Sequence, residues 1–323
     1  MAFKLSLVDA DDKALDGTIT VYNERCMSSS ERRYTLNDML EAARTQGYAP
    51  TERLFKDWVG HGLLDQATRR GRGHAQGIER TWPEKQLELW LLLLDKRPQV
   101  KRVATLCNIP VSIWLWWGPD HVPLRQVERA LLTWACAYEH IPWRRARWTA
   151  EQLVERFVHE EAASVDRERL VDAIARAAYG EAFRADVVLS LFQRVFDPKG
   201  SGRAIGPAWL HFNAESFTLI TEVRIQAIAA LREGKLTAED FEWAGREYRI
   251  GSREYDAHMP SLAADQEASD VFLKHTSSGV VLPTTFEEIA NQACIELLTM
   301  LGIRLRRTQG GGLDSLVRSP DPP

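Results

Sequence analysis

Cysteine is scarce in this chain of 323 residues. Cys26, Cys107, Cys136 and Cys294 stand far apart, with no Cys-x-x-Cys spacing and no histidine at a ligand interval. They read as buried thiols in a reducing compartment, and no metal site is assigned. Long apolar runs are missing too: nothing approaches the roughly 18 uninterrupted apolar residues of a membrane span. The opening MAFKLSLVDADDKALDG meets acid where a secretion signal would stay apolar. A cytoplasmic location and no membrane partner are therefore expected. The eight histidines are scattered, and His159-Glu160-Glu161 lacks a second histidine one helical turn on, so it reads as a solvated helix face. The acid pairs Glu160-Glu161 and Glu287-Glu288 have no serine or histidine at a recognisable interval. No catalytic residue and no cofactor follow from such a pattern, and the chain is not expected to be an enzyme.

What the chain does have is a globular balance of 45% apolar and 27% charged residues, and a length that suggests two domains. Its net charge of −4 hides an asymmetry. Residues 1–147 carry 22 basic and 18 acidic side chains, a net of +4, whereas residues 148–323 carry 19 and 27, a net of −8. Residues 32–105 alone hold 14 basic against 9 acidic. A polyanion should meet the N-terminal half.

That half has a readable order. FKLSLV and TITVYN suggest a strand pair in an N-terminal extension over 1–32. In YTLNDMLEAARTQGY, Thr35 and Asp38 form a capping pair, Leu36, Leu40 and Ala43 keep helical spacing, and Gly47 supplies the stop. Pro50 then suits a first helical position, and Leu54, Phe55, Trp58 and Val59 give a second helix one apolar side. Two short helices around a glycine turn form either a helix-turn-helix or an ordinary αα-hairpin. Next come an apolar GLL at 62–64, the basic run RRGRGHAQGIER at 69–80, Trp82-Pro83, and the helix-like WPEKQLELWLLLLDKR.

This order resembles the winged helix-turn-helix at the head of the MerR family, and more widely the excisionase-like winged helices. The family pattern R-x-x-R-Y-Y-x-x-x-G-L-L is matched by RLFKDWVGHGLL, with Arg53 and Lys56 at its basic positions, Trp58 at its second aromatic and Asp57 in place of the first. The basic run is longer and richer in glycine than the family's wing, and no long heptad run follows it. The resemblance covers roughly residues 33–95. It implies a winged helix-turn-helix with a small β-wing, and the residues beyond it read as a Trp-rich helical connector over 96–147 and an all-helical domain over 148–305 for dimerisation or partner contact, a mainly α chain. A flexible tail over 306–323 ends the scheme.

The partner implied is double-stranded DNA. Wing strands are expected at about Thr68 to Arg72 and Gly77 to Trp82, with Arg70 and Arg72 on one face, Arg69 on the other, Arg80 returning beside them, and His74 at the tip. Arginine forks grip phosphate oxygens or enter a minor groove, and glycines let the backbone come close. Four such contacts give a salt slope of roughly −3.6. Base choice would come from the second helix through Thr51, Glu52, Arg53 and Lys56, with Trp58 counted beside them. A nucleotide cradle is disfavoured, because the glycine spacing ends in no Lys-Ser/Thr pair. A disordered basic loop stays open as an alternative.

Beyond the wing, Lys85, Lys96, Arg97, Lys101 and Arg102 read as helix-end charges. Trp114, Trp116 and Trp117 cannot all share one helical face, and read as a hinge that docks the N-terminal module. HIPWRRARW, 140–148, suits nucleic acid or a domain junction. Helices are predicted over Thr149–Glu161, Asp166–Ala178, Ala182–Val195, Pro207–Glu233, Ala238–Arg249 and Thr285–Leu301. The fourth is long enough for a homodimer seam or a core helix. The sequence supports a transcriptional regulator or a mobile-element accessory factor. A non-enzymatic assembly module, or an enzyme with a site in the helical half, stays open beside it.

Overall fold

A computed structural model describes residues 32–71, 78–100, 102–137, 142–201, 213–264 and 286–310. The chain there is mainly helical with one small antiparallel sheet. The strand pair expected within 1–32 falls on residues 1–31, outside the described ones.

Strand β1, Arg33–Tyr34, leads into helix α1, Leu36–Thr45. The capping box forms as read: the Asp38 amide donates to Thr35 Oγ1 at 3.3 Å, and the Thr35 amide donates to Asp38 Oδ2 at 2.7 Å. The Thr35 backbone hydrogen bond, reinforced by its hydroxyl, holds the Asp38 carboxyl below the usual carboxylate range. Helix α2 spans Glu52–Gly60, and its start corrects the expectation for Pro50. Pro50 lies buried outside the helix, and Thr51 is the cap, its hydroxyl accepting the Leu54 amide at 3.1 Å. A hydroxyl acceptor satisfies a first-turn N–H, which proline cannot do.

Strands β2, Thr68–Gly71, and β3, Ile78–Pro83, pair antiparallel, and β1 adds to the far edge of β3, giving the order β1-β3-β2. The two-residue strand β1 has no counterpart in the sequence reading, because an edge pairing of that length has no period to detect. Helix α3, Glu84–Lys96, follows directly. Met39, Leu40 and Ala43 from α1, Phe55 and Trp58 from α2, Trp82 from β3, and Leu89, Trp90 and Leu93 from α3 bury one core. Its centre is aromatic: Phe55 meets Trp82 and Trp90 edge-on at 5.0 Å, and Trp58 meets Trp90 likewise at 5.0 Å. Edge-on pairs align the positive ring edge with the negative face and add about 0.5–1.5 kcal/mol each beyond burial. Trp90 Nε1 also donates to the Met39 carbonyl at 3.1 Å, tying α3 to α1.

Helices α4, Val103–Leu106, α5, Asn108–Trp117, and α6, Leu124–Cys136, continue the same core. Beyond residue 141 the packing cuts the chain differently from its charge. Helices α7, Trp143–Phe157, α8, Ser164–Tyr179, and α9, Ala185–Phe196, bury a second core of their own. Helices α10, Ala214–Arg232, α11, Ala238–Ala264, and α12, Phe286–Thr308, return to the first: Leu231, Phe241, Ala244, Cys294, Leu297 and Leu301 join it. Trp114 of α5 carries this docking, 2% exposed and edge-on to Phe241 at 6.3 Å, while Trp116 and Trp117 stay about 40% exposed. Helix α10 and helix α12 cross so closely that a Cβ at Gly302 would overlap the Val223 carbonyl.

Several boundaries differ from the sequence reading, each for a local reason. The helix predicted from Pro207 starts at Ala214, where Asn213 and Ser216 form a reciprocal capping box, each bond 2.8 Å. Its apolar residues Val223 and Leu231 are buried within the chain, which makes it a core helix here. His159-Glu160-Glu161 lies in the turn after α7, with the His159 amide bound to the Val195 carbonyl at 2.9 Å. Helix α12 runs on through Arg306 and Arg307, where a tail was expected. Arg304 reaches Glu239 at 3.0 Å, Arg306 reaches Glu222 at 3.0 Å, and Arg307 sits over the Trp243 ring at 5.4 Å. Burial pushes the Cys107 and Cys294 thiols upward, as suits inert thiols. Cys136 is exposed, contrary to expectation, and Cys26 lies outside the described residues. Among the described residues no helix is long and apolar enough to cross a membrane.

Candidate nucleic-acid interface

The β2-β3 register fixes which arginines face one another. Thr68 stands opposite Thr81, Arg69 opposite Arg80, Arg70 opposite Glu79 and Gly71 opposite Ile78. Directly opposed residues of an antiparallel pair share a face, so Arg80 joins Arg69 and not Arg70. Both Arg69 and Arg80 are exposed. Arg72 and His74, with the rest of 72–77, lie outside the described residues, as does the side chain of Arg70.

The side of the sheet follows from the two-residue period. Arg80 has the parity of Trp82 on β3, and Trp82 packs on Phe55 of α2. Arg69 and Arg80 therefore stand on the α2 side of the hairpin, beyond the end of the aromatic core. Two like charges directly opposed destabilise a bare hairpin by a few tenths of a kcal/mol. An anion between them reverses that sign.

On α2 the outer face presents Thr51, Glu52, Arg53 and Lys56, all exposed. Lys56 Nζ sits 2.5 Å from Glu52, and Arg53 Nε sits 3.8 Å from Asp57 with its side chain 91% exposed. Exposed pairs of this kind contribute little and exchange readily for a stronger anion. Trp58 is the exception among the residues assigned to the site: it is 1% exposed, in the core against Trp90. Its place on the inward stripe with Phe55 removes it from any DNA contact. Trp58→Phe is expected to cost about 1–2 kcal/mol of stability by leaving a partial cavity. Duplex affinity should stay within about twofold, since the face beside it is unchanged. An affinity loss above tenfold with unaltered thermal unfolding would return Trp58 to the interface.

A polar junction that the sequence does not advertise sets the root of the hairpin. Asp65 is buried directly after the GLL turn. Its amide donates to Gln86 Oε1 at 2.8 Å and its carbonyl accepts from Trp82 Nε1 at 2.8 Å. The carboxylate takes a two-pronged bond from Arg125, Nε at 3.0 Å and Nη2 at 2.6 Å, and a third contact from Arg129 Nη2 at 3.3 Å. The hydrogen bond to Asp65 pushes the Arg125 guanidinium up, while burial pushes that of Arg129 down. Gln86 donates on to Gln126 at 2.9 Å, and Gln126 to the Leu63 carbonyl at 2.8 Å. Gly62, at φ +75°, lets this turn lie on the α6 backbone, where a side chain would overlap the Ala130 amide. One buried acid thus connects β3, α3 and α6, and Arg129 extends the link to α2 through the Val59 carbonyl at 3.2 Å. Its arginine partners lie about sixty residues on, and only the Arg125/Arg129 spacing of one helical turn could have hinted at them.

The remaining basic residues divide as structure. Lys85 donates to the Asp120 carbonyl at 2.8 Å, Arg97 to the Val100 carbonyl at 2.9 Å, and Lys96 pairs with Asp95 at 3.0 Å. Arg102 is half-buried just before α4, and Lys101 lies outside the described residues. An open groove of about 840 Å³ between α8 and α9 contains Arg176, Arg184 and Arg194. Arg176 is held by Asp172 at 2.8 Å, Arg184 by Asp186 at 3.4 Å and Arg194 by Asp166 at 3.3 Å. These three arginines are each paired with an acid, and Arg169 lines the groove beside them.

Compared with known proteins, the chain matches no family model, no curated protein and no solved structure.

Proposed function

We propose that the chain binds double-stranded DNA through α2 and the β2-β3 hairpin, acting together as a MerR-like winged helix-turn-helix. The observation that carries this reading is the exposed, directly opposed Arg69/Arg80 pair on the α2 side of the hairpin. A helix of nine residues whose outer face carries Arg53 and Lys56, each in an exposed ion pair that a phosphate can replace, and an arginine pair beside it supply the two elements such a contact needs. The hairpin grips phosphate, and Thr51, Glu52, Arg53 and Lys56 lie where a recognition helix meets base edges. Asp65 and its partners hold the two in fixed relation, which lowers the ordering cost of binding. A transcriptional regulator or an accessory factor of a mobile element fits this chemistry.

Titrating the full chain into a labelled 30-base-pair duplex at low salt, followed by fluorescence anisotropy, tests the proposal. Saturable binding with a Kd in about the micromolar range or tighter is expected. No binding to duplexes of varied sequence would favour the assembly-module reading instead.

A further inference from the structure

We propose that the first two turns of α7 form a second nucleic-acid contact, which stacks an unpaired base on Trp148 and holds the flanking phosphates with Arg144 and Arg145. It deepens the DNA-binding reading and rests on it for the class of partner.

Trp148 is 60% exposed in a chain that buries Trp58, Trp82, Trp90, Trp114 and Trp134 to 8% exposure or less. This fold has room for tryptophan, and leaves this one outside. Arg144 precedes it by one helical turn and Arg145 by three residues, so both lie near it on the helix surface, and both are exposed. Among the described residues no ion pair engages either one.

Among the described residues the acids beside this helix face are already engaged. Arg147 takes Glu151 at 3.0 Å and also Glu168, and Arg167 reaches Glu155 at 3.8 Å. The two outer arginines therefore keep their charge, although the chain from 148 onward is acidic in sum. An exposed indole ring with two exposed cations one turn before it on the helix fits one partner well. Bases in a duplex cover one another's faces, whereas an unpaired base offers its face to an aromatic ring while its phosphates meet the arginines. The occupant is thus a single strand, or an unpaired stretch beside the duplex site.

Affinities of the full chain for labelled dT20 and for a labelled 20-base-pair duplex decide it, with Trp148→Ala, Trp148→Phe and Arg144→Ala/Arg145→Ala as variants. Trp148→Ala should weaken dT20 binding about tenfold, and Trp148→Phe should keep it within about threefold, because any aromatic face can stack. The arginine double variant should also weaken dT20 binding and flatten its salt dependence by about 1.4 in slope. Duplex affinity should move less than about twofold in all three. Unchanged dT20 affinity in Trp148→Ala, equal losses for dT20 and duplex, or no dT20 binding by the wild type each overturn the inference. Loss of duplex binding in Arg69→Ala/Arg80→Ala tests the earlier proposal separately, so either can fail alone.

Discussion

Arg69→Ala/Arg80→Ala is expected to bind duplex DNA about 30-fold more weakly than the wild type at 0.15 M salt. The size follows from counterion release. Each neutralised phosphate contributes about −0.9 to the slope of log K against log salt, which amounts to roughly fivefold per contact between 1 M and 0.15 M. Two contacts multiply. The fold should not suffer, because the two side chains are exposed and directly opposed. Removing like charges at that position leaves thermal stability equal or slightly higher. A variant that binds as the wild type does would take the hairpin out of the mechanism. A variant that lost binding together with a large fall in Tm would show that the pair matters to folding instead.

Asp65→Ala acts from the opposite direction, through stability. Its side chain is 7% exposed and holds Arg125 by two bonds and Arg129 by one. Removing one partner of a buried ion pair costs about 3–5 kcal/mol when the other charge stays buried. Here Arg125 is 61% exposed and can turn to water, while Arg129 is 25% exposed and cannot do so fully. The expected loss is therefore at the lower end, about 3 kcal/mol, or about 5–10 °C in Tm followed by circular dichroism. Duplex affinity should fall as well, since the same acid fixes the hairpin root against α2, α3 and α6. A loss under about 1 kcal/mol would mean that the junction is ornamental and that the aromatic core alone places the hairpin.

How far each element was legible depended on the range of its interactions. Thr35 with Asp38, the two short helices, and the strands within 68–83 are local patterns, and each forms close to where the sequence places it. Pro50 was misread because proline and threonine both favour a helix start, and Thr51 has the acceptor that ends the competition. Trp58 illustrates a different limit. The family pattern marks an aromatic there, yet the pattern does not say which side of α2 it takes, and the inward stripe shared with Phe55 does. Helix α12 was cut short at Leu301 because arginines followed by glycines resemble a tail. Glu239, Asp240, Glu222 and Trp243, all distant in sequence, hold those arginines in a helix. The Asp65 junction was invisible for the same reason, since its partners become neighbours only once α6 folds back over the GLL turn. Within the basic run, the strand register was needed to show that Arg69 and Arg80 share one face.

The salt dependence of duplex affinity tests the central proposal most directly, measured from 0.05 to 0.3 M for the wild type and for Arg69→Ala/Arg80→Ala. Slopes of about −3.6 and about −1.8 are expected, corresponding to four phosphate contacts reduced to two. Equal slopes in the two proteins, or a wild-type slope near zero, would contradict the hairpin as the DNA-gripping element.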